Sequence, residues 1–138
     1  MILLDTCVVS EPLKPRPAAA VQDWLDNQVA ESLYLSTISL AELLAGVAAL
    51  PAGRRRSALA GGLTSLLEKL FAGRILSFDP AAAALFPQIV TVARKRGTTM
   101  SFADAQIASI AAAHGFSVAT RDTDPFFAAG IPVIDPWS

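Results

Sequence analysis

Residues 101–120 read SFADAQIASIAAAHGFSVAT. The first part is small and apolar enough for a buried helix from Ser101 to about His114, and Gly115 stops it, since glycine takes the left-handed conformation that ends helices. "FSVAT" then reads as a short buried strand. One carboxylate, Asp104, interrupts the apolar run. Ser101-x-x-Asp104 has the spacing of a capping pair. Yet Ile107, Ala108 and Ala111 follow Asp104 at helical intervals, so Asp104 points along the apolar side. A buried carboxylate is costly unless compensated, and a cap compensates only in part.

Outward from this stretch, the same alternation recurs. "MILLD" at 1–5 is an apolar run suited to a buried strand and closed by Asp5. A proline-rich loop, "EPLKPRP", follows, and then a helix that carries Val21, Trp24, Leu25 and Gln28 at helical spacing. "SLYLST" is the second strand. A helix over 39–50 has Leu40, Leu43, Leu44 and Val47 on one side. "PAGRRR" breaks the chain before a helix over 57–72, weakened by Gly61 and Gly62. "RILSF" is the third strand, and Asp79-Pro80 is a helix start, with aspartate at the cap and proline in the first turn. That helix runs to about Arg96 and ends at Gly97. "RDTDPFFAAG" holds a short helix and "IPVID" the last of five strands. There are no repeats, linkers or low-complexity segments, so 1–138 reads as a single domain. Strands alternating with helices predict an α/β three-layer sandwich around a mostly parallel sheet. Ligands of such sheets bind beyond the carboxyl ends of the strands.

The chain has 138 residues, of which 53% are hydrophobic and 17% charged. That charged share is low against the usual ~25%. The excess of apolar surface calls for a partner or a second copy. A net charge of −1 gives no overall field to attract nucleic acid, though it leaves room for a local basic patch. The single cysteine, Cys7, excludes an internal disulfide and suits a reducing compartment. "MILLD" has no basic region ahead of an apolar one, so it does not read as a signal peptide. No stretch approaches the ~20 apolar residues of a membrane span. The expected location is the cytoplasm.

Most acids have ordinary explanations. Asp23, Asp26, Glu31 and Glu68 sit among polar neighbours. Asp79 and Asp124 precede prolines and read as caps, and Asp135 as a turn residue. Four acids stand out. Asp5 ends the first strand. Glu42 has a competing explanation, a Ser39-x-x-Glu42 capping box. Against it, Glu42 shares a side with Ile38, Ala45, Gly46 and Ala49, small enough for close approach. Asp104 lies in a first turn. Asp122 follows the fourth strand, where Asp124 already supplies the cap. All four belong on one edge of the expected sheet. Carboxylates packed together repel, and one would keep its proton at neutral pH. A divalent cation relieves this, and oxygen-only ligands suit Mg²⁺ or Mn²⁺ over zinc.

Other chemistries have little support. His114, the only histidine, stands at a helix end, where a solvated residue near the negative pole is expected. Cys7 reads as a small buried residue, and there is no glycine-rich phosphate loop. A metal-activated water attacking a phosphodiester is the natural chemistry.

"LLDTCVVSEPLKP", "STISLAELLAG", "SFADAQIASIAAAHG", "VATRDTD" and the ending "GIPVIDPW", in this order, resemble the PIN-domain family, and within it the VapC-type toxins of bacterial toxin–antitoxin pairs. The likeness spans essentially the whole chain. It implies a metal-dependent ribonuclease with Asp5, Glu42, Asp104 and Asp122 as its acidic quartet. Thr6 and Thr120 match hydroxyl positions beside the first and last acids. The chain departs from that pattern at Cys7, where asparagine or serine is usual, at Asp122, where asparagine is common, and at Pro125, where aspartate is common.

The resemblance also implies RNA as substrate, a homodimer and a cognate antitoxin that covers the site. Arg121 is the cation best placed for RNA. Arg54–Arg55–Arg56 and Arg94–Lys95–Arg96 read equally well as solvated helix ends. The few aromatics read as core, with no stacking platform. The helices at 39–50 and 57–72 offer an interaction surface with Leu43, Leu44, Leu66, Leu67 and Phe71 as anchors. Two rivals use the same acids: an aspartate-nucleophile phosphatase, which lacks the usual second aspartate because Cys7 occupies that position, and a non-catalytic receiver-like or interaction module, which lacks paired acids near Asp5 and a late lysine.

Overall fold

A computed structural model describes residues 1–138. Along the chain come β1 (Ile2–Leu4), α1 (Thr6–Ser10), α2 (Ala19–Asp26), β2 (Leu33–Ser36), α3 (Thr37–Ala48), α4 (Arg54–Leu70), β3 (Ile75–Leu76), α5 (Pro80–Lys95), α6 (Phe102–His114), β4 (Ser117–Ala119), α7 (Thr123–Ala128) and β5 (Val133–Ile134). Single 3₁₀ turns at Glu11–Leu13 and Ala30–Ser32 join the early elements. The five strands form one sheet in the order β3-β2-β1-β4-β5, and every pairing is parallel. Parallel neighbours need long crossovers, and here helices supply them.

Strand alternation divides the core. Leu3, opposite Tyr34 and Val118, faces one layer. There it meets Ile89 and Ala93 of α5, Ile107 and Ile110 of α6, and Phe126 of α7. Leu4, opposite Leu35 and Ala119, faces the other layer with Val8, Val21, Leu43, Leu63 and Phe71. A period of two along each strand sorts neighbouring side chains to opposite sides. The predicted three-layer α/β architecture with five strands is what the chain adopts.

Several local expectations change. Ser36, not Ser39, caps α3: its hydroxyl accepts the Ser39 N–H at 3.0 Å. Ser39 is then carried inside the helix, fully buried, its hydroxyl without a partner. The Ser39–Glu42 capping box is therefore not formed. The three arginines 54–56 do not break a helix but form the first turn of α4, and Gly61 and Gly62 lie within it. In the last short helix the cap position belongs to Asp122, not Asp124, which lies in the first turn. The Asp122 side chain makes no capping bond.

Of the proposed surface anchors, Leu43 and Phe71 are buried in the chain's own core, and Leu66 and Leu67 are half-buried; only Leu44 is exposed. Predicted features that hold include Asp79 capping Ala82 N–H at 2.9 Å ahead of Pro80, Gly115 at φ 70° ending α6, and Asp135 holding a turn through Trp137 N–H at 2.9 Å.

Glu11, an acid that the sequence reading does not single out, is the most buried acid in the chain, 5% exposed. It accepts the Ala18 N–H and pairs with Lys14 at 2.8 Å.

Candidate active site

β1 delivers Asp5 at the carboxyl edge of the sheet. The Asp5 N–H donates to the Ala119 carbonyl at 2.9 Å, so the ladder between β1 and β4 fixes its backbone. Asp5 also caps α1, with Oδ1 accepting the Thr6 N–H at 2.8 Å. Its other oxygen, Oδ2, accepts the hydroxyl of the fully buried Thr120 at 2.9 Å. The Cys7 thiol lies 3.9 Å from both Asp5 Oδ2 and Thr120 Oγ1, at the limit of a weak sulfur contact.

Two threonines tie the other acids to this point. The Thr6 hydroxyl donates to Glu42 Oε1 at 2.9 Å, which fixes an otherwise exposed side chain on α3. Thr120 Oγ1 accepts the Asp122 N–H at 3.1 Å, which shapes the turn after β4. Asp104 enters from the first turn of α6, its N–H bonded to the capping Ser101 hydroxyl at 3.1 Å. Asp104 thus belongs to a capping pair and faces the same cleft as Asp5. One cavity of about 600 Å³ is lined by Asp5, Thr6, Cys7, Ser10, Glu42, Asp104, Arg121 and Asp122.

All four acids of the expected quartet border this cavity, and Arg121 is the one cation there. Ser10 is the lining residue the sequence reading missed. Its signal was the four-residue spacing from Thr6, which puts both on one side of α1. His114 lies at the far end of α6 from Asp104. Arg96 donates to the Phe127 and Ala128 carbonyls and so serves the fold.

Burial raises the Asp5 carboxyl above its ordinary value. The Thr120 and Thr6 hydrogen bonds pull it back, and the charges of Glu42 and Asp122 push it further up. Asp104 is raised first by burial and then by the charge of Asp5. Burial likewise raises the Cys7 thiol, which argues against a reactive thiolate.

The donor set is all oxygen apart from Cys7 and carries excess negative charge, which fits a hard divalent cation. As the side chains stand, no three His, Cys, Asp or Glu residues are grouped closely enough to hold one ion. The set therefore fits in chemistry but is not preassembled.

Beside the cleft runs an apolar groove of about 620 Å³ between α3, α4 and the turn after α1. Leu13, Pro15, Val47, Leu50 and Leu59 line it, and it shares Thr6, Ser10 and Glu42 with the acidic cavity. No helix is long and apolar enough to cross a membrane.

Known proteins match the chain over nearly its whole length. The PIN-domain profile matches residues 2–131. The chain is similar to Toxin FitB of Neisseria gonorrhoeae, 48% identical, with 99% of each chain covered. It is similar also to VapC ribonuclease Y4jK of Sinorhizobium fredii, 47% identical over 99% of this chain and 98% of that one. Among solved structures it is similar to FitAcB from Neisseria gonorrhoeae, with a TM-score of 0.89, 48% identity and 99% of each chain covered.

Proposed function

The chain belongs to the PIN-domain family, and from that premise we propose that it is an endoribonuclease, the toxin of a VapBC-type toxin–antitoxin pair. The observation that carries this reading is the gathering of Asp5, Glu42, Asp104 and Asp122 around one cleft, in a chain that matches a VapC ribonuclease over nearly its full length.

In this reading, Asp5, Asp104, Asp122 and Glu42 would hold Mg²⁺ or Mn²⁺, and such a cation would supply an acidified water and neutralise charge on the phosphate. The chain's own residues do the rest. Thr120 and the Thr6 N–H orient the two oxygens of Asp5. The Thr6 hydroxyl holds Glu42 toward the cleft. Crowding of negative charge keeps the site unfavourable until a cation enters. Arg121, at the mouth, meets the RNA phosphate.

The partners follow from the same reading: RNA as substrate, a cognate antitoxin, and a homodimer working in the cytoplasm. The apolar groove suits the antitoxin, because a segment seated there would also cover the Glu42 side of the cleft. Leu44, Phe102 and Phe127, each more than half exposed, are apolar surface that assembly would hide.

The test is cleavage of labelled cellular RNA by the purified chain. Cleavage is expected with Mn²⁺ or Mg²⁺, absent with a chelator, and absent in Asp5→Asn when circular dichroism is unchanged. RNA cleavage that survives Asp5→Asn would sink the assignment.

A further inference from the structure

We propose that Trp137 is a positioning residue that holds Arg121 at the mouth of the acidic cleft, ready for an RNA phosphate. This rests on the ribonuclease reading above.

The Arg121 guanidinium carbon lies 5.2 Å from the centroid of the Trp137 ring, within the range of a cation–π contact. Arg121 is exposed, and its long side chain has many rotamers to lose. No acid of the cleft forms a salt bridge with it; the only salt bridge in the chain is Lys14–Glu11. The ring is the aromatic face that the guanidinium rests over, with the charge of Glu11 acting on it from further away.

Trp137 is itself anchored. Asp135 Oδ1 accepts the Trp137 N–H at 2.9 Å, and Oδ2 accepts the Ser138 hydroxyl at 3.1 Å. The tryptophan packs against the core layer that holds Leu4 and Ala119. The preceding strand is tied to the site, since the Thr120 N–H donates to the Ile134 carbonyl at 2.9 Å. One rigid path therefore runs from β5 through the Asp135 turn to the Trp137 ring.

The position suits this task. The cleft holds four carboxylates, and a free arginine would be drawn onto them, where it would compete with a cation. Stacking on tryptophan keeps the guanidinium beside the acids, and its N–H edge stays open to a phosphate. A quadrupolar face attracts a cation without neutralising it.

A double-mutant cycle with steady-state kinetics on a short single-stranded RNA tests the proposal. Trp137→Leu keeps bulk but removes the aromatic face. It is expected to raise KM about two- to fivefold, the worth of one exposed cation–π contact, with kcat nearly unchanged. Trp137→Phe should recover most of the loss. In an Arg121→Ala background, Trp137→Leu should add nothing to KM, because the ring acts on RNA only through Arg121. A loss of equal size in both backgrounds, or a loss confined to kcat, would mean a merely structural role and overturn the proposal.

A second readout needs no activity. With Trp24→Phe, Trp137 is the only tryptophan, and Arg121→Ala should increase acrylamide quenching of its emission. Unchanged quenching would overturn the contact while leaving the nuclease assignment standing. A wild-type chain that cuts no RNA with either metal would overturn both.

Discussion

Asp5 and Thr120 are 115 residues apart in sequence and joined by a 2.9 Å hydrogen bond. The donor is fully buried, and burial is the first cause that raises the acceptor carboxylate. Thr120→Val keeps the shape and deletes the donor. The expected cost is about 1–3 kcal/mol of stability, that of a buried polar group left unsatisfied, together with a drop in kcat of about tenfold. Urea unfolding beside initial rates checks both. An unchanged rate would show that Asp5 needs no orientation from this side.

Crowded carboxylates should make the metal-free protein less stable than it would otherwise be. Asp104→Asn removes one charge and retains a polar side chain at the same place. In chelator at neutral pH the variant should melt about 3 °C above wild type. At 100 times its dissociation constant, Mn²⁺ should add about 2.7 kcal/mol to wild type and little to the variant. The raised values of Asp5 and Asp104 also give metal-free wild type a slope with pH. Their contribution is present at low pH and fades as pH rises through their folded values. A wild type and variant with parallel melts across pH and metal would refute the crowding.

Glu11 has the opposite sign. The bond to Lys14 is the largest cause lowering its carboxyl below the ordinary glutamate value, and Ala18 adds to it. Stability from a depressed acid is present above the unfolded value and lost as pH falls through the folded one. Glu11→Gln should therefore flatten the acid limb of stability below about pH 4.3 and leave neutral-pH metal binding unchanged. Chemical denaturation at several acid pH values reads this directly.

The two serines of α3 should separate cleanly. Ser36→Ala loses the cap and should cost about 1 kcal/mol. Ser39→Ala removes a buried hydroxyl that has no partner and should be neutral or slightly stabilising. The reverse order in urea midpoints would restore the capping box at Ser39–Glu42.

The layers of this fold were legible because the strands are short, mostly apolar and bounded by strong punctuation. Gly115, Gly97 and Asp79-Pro80 mark their helix ends in both sequence and structure. The acids were legible as a set because a parallel sheet has one carboxyl edge, and Asp5, Asp104 and Asp122 all fall at it by position alone. What failed was local. Two serines three residues apart both offer a cap to α3, and only the strand's end decides that Ser36 is used. Glu11 hid in a proline-rich stretch that reads as loop, although a 3₁₀ turn and Lys14 bury it there. Leu43 and Phe71 look like surface anchors by periodicity, because spacing names a side of a helix without saying what covers it. The contact of Arg121 with Trp137 joins residues from different turns, and no local pattern announces it.

The pairing of the first strand with the fourth has a consequence for when the site comes into being. Asp5 leaves the ribosome early, and at about 5–20 residues per second Thr120 follows roughly ten seconds later. Until then the Asp5 N–H lacks the Ala119 carbonyl and its carboxylate lacks the Thr120 hydroxyl. Contacts between distant parts of a chain must first offset loop-closure entropy. A growing polypeptide therefore carries its first acid without these two partners, and a chain stopped just before β4 lacks them as fully as one stopped near the start.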